Sequence, residues 1–105
     1  MQAQQSHDLT MVKLLQDDPS FADDYLAACL EEINEPGGQE ALLMALRQIA
    51  EARGMSAIAQ EAGIQRESLY KALSPKGNPT LKTLLAVLQS MGMTLSINTK
   101  GHAAA

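Results

Sequence analysis

The chain has 105 residues, 46% of them hydrophobic but only 3% aromatic, which fits one small domain packed on Leu, Ala, Ile and Met side chains. No apolar run approaches the roughly 18 residues of a membrane span, the opening MQAQQSHDL lacks a signal peptide's basic start and apolar core, and a lone Cys29 cannot close an internal disulfide. The net charge of −4 conceals an asymmetry: residues 1–40 carry nine acids against Lys13, or −8, and residues 41–105 carry seven bases against Glu51, Glu61 and Glu67, or +4.

Such a split points to a polyanion at the basic half and, more weakly, to a basic partner at the acidic half. No paired carboxylates, P-loop, nucleophile elbow or metal-ligand spacing is present, and His7 and His102 lie in expected tails. The expectation is therefore a cytoplasmic protein that is not an enzyme and takes no cofactor and no metal.

In chain order, residues 1–7 read as a frayed end, and Asp8 as the cap of a short helix from Leu9 to about Asp17. From Ser20, a candidate cap, Phe21, Tyr25, Cys29 and Ile33 recur every four residues, with Leu26 and Leu30 widening the apolar stripe. Cys29 reads as a small core residue. Glu35-Pro36-Gly37-Gly38 breaks this second helix and marks a hinge or boundary. The expected organisation is an acidic helical extension over 1–36, a second domain over 37–98 that carries the short-helix hairpin described next, and a disordered tail over 99–105.

Leu42, Leu46 and Ile49 stripe a helix from about Gln39 to Arg53, which Gly54 terminates. Met55 to Ser74 then reads as two short helices joined by a tight turn at Gly63, the first capped by Ser56. Ala59 is small enough for a close crossing, and Gly63 tolerates the positive φ that ends the first helix. Ile64, Leu69 and Ala72 point inward. That leaves Gln65, Arg66, Glu67, Tyr70 and Lys71 on the outer face of the second helix, with Ser74 just beyond its end. A helix of this kind can enter a major groove, where Arg forks onto guanine, Gln pairs with adenine, and Lys and Tyr suit phosphates or base edges. Arg47, Arg53, Lys76 and Lys82 are candidate supplementary phosphate contacts.

Lys76-Gly77-Asn78-Pro79 is a turn cluster, and Thr80 caps a last helix whose Leu81, Leu84, Leu85, Leu88 and Met91 share one face until Gly92 stops it. From Met93 to Asn98 the period changes to two, which predicts one short strand. A lone strand needs an edge, so it must pair across a dimer dyad, add to a partner's sheet or remain an extended tail packed on the core, and intermolecular pairing is the expectation. The predicted fold class is all-α, a bundle of five or six helices with one short C-terminal strand.

The run from Ala45 to Ile97, and above all ARGM at Ala52–Met55, EAGI at Glu61–Ile64, RESLYKAL at Arg66–Leu73 and GNPT at Gly77–Thr80, resembles the addiction-module antidote family. These are antitoxins with a helix-turn-helix of the Cro and phage-repressor type, similar to HigA-like antitoxins. The resemblance implies a homodimer that binds double-stranded operator DNA, represses its own operon and neutralises a RelE/HigB-like toxin. A basic toxin would account for the acidic half. Gln65, Arg66, Glu67, Tyr70, Lys71 and Ser74 would then be the DNA-binding residues. Gln65 stands where the family usually has a capping Ser, so either the cap is lost or Gln65 is kept for base contact. Two other readings fit the residues: a stand-alone phage-type transcriptional repressor, and a protein-interaction module that has lost DNA binding.

Overall fold

The computed structural model describes residues 2–97, with side chains from residue 8 onward, and contains six helices over that span. They are α1 (Gln2–Asp17), α2 (Phe21–Glu31), α3 (Gly38–Arg53), α4 (Met55–Ala62), α5 (Arg66–Ala72) and α6 (Leu81–Ser90). An all-α bundle is what so aliphatic a composition predicts.

The long helix α3 organises the bundle. Leu43, Ala45, Leu46, Gln48, Ile49 and Ala50 are all buried, and at 3.6 residues per turn they cover more than half of the helix circumference. Helices α1, α2 and α4 all pack on it, α6 packs on α4, and α5 crosses α4. Leu15, Ala22 and Leu26 from the first two helices join Ile58, Leu69, Leu73, Val87 and Met91 in one continuous core. The acidic helices and the basic half therefore share a core through α3.

Several boundaries differ from the sequence expectation. Helix α1 runs back to Gln2, so Asp8 is not a cap; it lies within the helix, and its carboxylate accepts a hydrogen bond from Gln48 at 2.5 Å. Ser20 makes no capping bond and instead donates its hydroxyl to Asp18 at 2.6 Å. Helix α4 starts at Met55 behind Gly54, which leaves Ser56 exposed inside its first turn rather than capping it. Thr80 caps α6 as expected, its hydroxyl oxygen accepting from the Thr83 N–H at 3.1 Å.

The expected C-terminal strand is absent. No strand occurs among the described residues; Met93 to Ile97 is irregular, and Asn98 and the tail 99–105 lie outside the described span. The alternation of Met93, Leu95 and Ile97 is real, but period-two patterning becomes a strand only when another edge takes up its backbone groups. Among the described residues no edge is available, and Leu95 and Ile97 stand 47% and 96% exposed.

Buried polar groups at the junction of the first three helices are paired. Gln48, fully buried, accepts from the Tyr25 hydroxyl at 2.5 Å through Oε1 and donates from Nε2 to Asp8, linking α1, α2 and α3. Burial, then the neighbouring Cys29 and Asp8, pushes the Tyr25 phenol above its usual range. Cys29 is half-buried against the Ala41 carbonyl, and burial followed by Glu32 raises its thiol as well.

Candidate nucleic-acid interface

Helix α4 ends in a Schellman turn, which sets the angle at which α5 leaves it. The Ile64 N–H donates to the Ala59 carbonyl at 3.0 Å and the Gly63 N–H to that of Gln60 at 3.2 Å, with Gly63 left-handed at φ 75°. A Cβ at that φ is strained, which is why glycine occupies the position. Two residues later Gln65 is extended and opens α5, its carbonyl accepting from the Leu69 N–H at 3.0 Å.

Helix α5 has seven residues, and its burial rests on Leu69 and on Leu73 just past its end, at 0% and 1% exposure. A helix this short is held by packing rather than by its own propensity. Its outer face carries Gln65, Arg66, Glu67, Tyr70 and Lys71, all exposed. Gln65 makes no capping bond with its side chain, so the amide faces outward unspent. Arg66 lies with its guanidinium carbon 5.5 Å from the centre of the Tyr70 ring, one turn along, and the stacking restricts a long side chain before any ligand arrives. Glu67 sits in the first turn and Lys71 in the last, both favourable to the helix dipole.

Ser74 is placed differently from the other five. It is half-buried, and its hydroxyl donates to the Lys71 carbonyl at 2.8 Å, while its own carbonyl accepts from the Gly77 N–H at 2.8 Å. The chain thereby doubles back along α5 and opens a groove of about 450 Å³ toward α6, lined by Ser68, Lys71, Lys76, Asn78, Thr80 and Thr83. Lys71 and Lys76 give this groove a positive wall continuous with the outer face of α5.

Gly77 makes the turn possible. A Cβ there would overlap the Ala72 carbonyl oxygen and lie 2.9 Å from that of Lys71, both backbone atoms that cannot rotate away. Gly77→Ala is therefore expected to cost about 2 kcal/mol through overpacking. Urea unfolding checks it, and an unchanged midpoint would mean that the turn relaxes freely.

Two cations expected to reach phosphates are engaged elsewhere. Arg47 donates through Nη1 to the Leu73 carbonyl at 3.2 Å and lies 3.9 Å from Glu51, and Arg53 donates through Nη1 to the Met91 carbonyl at 2.7 Å. Both arginines sit on α3 and hold helix C-termini, where a positive charge offsets the carbonyl end of the dipole. Burial, then Asp8, raises the Glu51 carboxyl from its usual range, with Arg47 pulling the other way. Lys76 and Lys82 remain exposed. The sequence reading missed both arginine contacts and the buried Gln48. The available signal for Gln48 was its position three residues after Ala45 and four before Ala52, on the apolar side of the helix.

Residues 5–99 match the family model described as "Probable addiction module antidote protein". An uncharacterised protein of Haemophilus influenzae is 47% identical over 68 residues, covering 65% of this chain and 70% of that protein. No solved structure matches. The family is one of non-catalytic antidotes rather than enzymes. Among the described residues, no helix is long and apolar enough to cross a membrane. With the match spanning nearly its whole length, the chain belongs to the family of addiction module antidote proteins.

Proposed function

We propose that this protein is the antitoxin of a toxin-antitoxin module: it neutralises a RelE/HigB-like toxin and, as a cytoplasmic homodimer, binds operator DNA to repress its own operon. The observation that supports the DNA half most directly is the outer face of α5. Five side chains able to read bases or phosphates project from a short helix fixed at one end by the Gly63 turn and at the other by Arg47. In this reading α4 and α5 form the helix-turn-helix within residues 37–98. Gln65, Arg66, Glu67, Tyr70 and Lys71 face the major groove, while Ser74 acts through the turn it closes. A twofold dimer would place two such helices about one helical turn, roughly 34 Å, apart on the duplex.

The toxin half rests on family membership and on the acidic first 40 residues, whose charge suits a basic RNA-cleaving partner. The test is a search for a small basic protein encoded beside this one, followed by co-expression of the two. Growth arrested by that protein alone should resume when the antidote is supplied. Continued arrest despite soluble antidote would remove the pairing and leave a stand-alone repressor.

A further inference from the structure

Helix α5 is too short to fix its own orientation, and its C-terminal carbonyls need partners that packing of Leu69 does not provide. Its last turn is closed locally by Ser74, whose N–H and hydroxyl both turn to the Lys71 carbonyl. The carbonyl of Leu73, the residue that caps the helix, is reached from another helix by the half-buried Arg47 guanidinium. Arg47 lies one turn before Glu51 on α3, and the carboxylate at 3.9 Å helps to orient it. The same device recurs at the end of α6, where Arg53, also on α3, holds the Met91 carbonyl. Twice, then, the central helix extends an arginine to a helix end that the apolar core leaves open.

We infer that Arg47 is a positioning residue for DNA recognition: it touches no DNA, but by tying the Leu73 carbonyl to α3 it fixes the angle at which α5 presents Arg66, Tyr70 and Lys71. The inference rests on the DNA-binding reading above. A positioning residue leaves a different signature from a phosphate contact. Loss of a phosphate contact weakens all sequences alike and flattens the dependence of log K on log salt by about 0.9. Loss of positioning weakens the specific site, which requires register, far more than non-specific binding, which does not.

The test compares the unaltered protein with Arg47→Met, which keeps the apolar stem, and with Arg47→Lys, which keeps the charge. Affinity is measured on the protein's own upstream DNA and on scrambled DNA across a salt series, and amide hydrogen exchange is followed without DNA. For Arg47→Met, affinity for upstream DNA should fall about 10-fold, the strength of a charged hydrogen bond. Scrambled-DNA binding and the salt slope should hold, and Arg47→Lys should recover part of the loss. Exchange should rise over residues 66–73 and not over α1 or α2. Equal losses on both DNAs with a flattened slope would make Arg47 a phosphate contact and overturn the inference, as would unchanged exchange in α5. If the unaltered protein shows no preference for upstream DNA, the DNA-binding reading fails by itself, and the exchange arm still decides whether Arg47 holds α5.

Discussion

Replacing Arg66 and Lys71 together by Ala is expected to lower affinity for the protein's own upstream DNA by about 100-fold at low salt, since a base-reading Arg and a phosphate-binding Lys jointly account for about 3 kcal/mol. Both side chains are exposed, and among the described residues the one side-chain interaction of either is the stacking of Arg66 on Tyr70, so the fold should not notice their removal. Unchanged thermal stability is therefore part of the prediction. Fluorescence anisotropy on labelled duplexes measures the loss. If the double variant binds as tightly as the parent, α5 does not face the operator, and the exposed face belongs to an interaction module instead.

Gln48→Ala should be among the most damaging single changes to the fold, at about 2–4 kcal/mol, because it combines a buried cavity with the loss of two hydrogen bonds. Gln48 is fully buried and serves Tyr25 on α2 and Asp8 on α1 at once, so its removal takes a side-chain hydrogen bond to α3 from each helix. Tyr25→Phe removes only one of those bonds and should cost about 1 kcal/mol. Urea unfolding of both variants and of their double mutant measures the coupling. The double mutant should cost less than the sum of the singles, because once Gln48 is gone the Tyr25 hydroxyl has no bond left to lose. A near-neutral Gln48→Ala would mean that the two Gln48 bonds do not anchor α1 and α2.

The helices were legible because their apolar residues repeat at three and four positions with stop signals between them. Phe21, Tyr25 and Leu26 mark α2, Leu42, Leu46 and Ile49 mark α3, and the stripe from Leu84 to Met91 marks α6 behind the Thr80 cap. The turn at Gly63 was equally readable, since a glycine between two short helices announces a left-handed residue. The C-terminal strand was misread because alternation records which way side chains point, whereas a strand also requires a neighbour, and nothing local encodes that neighbour. The extent of α1 was misread for a related reason. Asp8 suits a cap by residue type, and only the distant Gln48 reveals that it serves a different acceptor role.

Charge was the least transparent property. The bases of residues 41–105 pointed to a polyanion, with Arg47, Arg53, Lys76 and Lys82 as supplementary phosphate contacts, but Arg47 and Arg53 are committed to backbone carbonyls at the ends of α5 and α6. The described cations left exposed are Arg66, Lys71, Lys76 and Lys82 on this half, together with Arg53, whose side chain is already engaged. A polyanion would therefore meet a narrow cationic edge along α5 and the Lys71 to Lys76 groove. The salt dependence of binding should accordingly be moderate, with a slope of about −0.9 for each phosphate neutralised.

The central claim is that α5 reads an operator in front of the protein's own operon, and a gel-shift titration of the purified full-length chain on that upstream DNA against scrambled DNA, at two salt concentrations, tests it most directly. The account predicts saturable binding to the upstream fragment that persists at the higher salt and exceeds binding to scrambled DNA by about 1,000-fold or more. Equal, weak binding to both fragments that disappears as salt rises would contradict it.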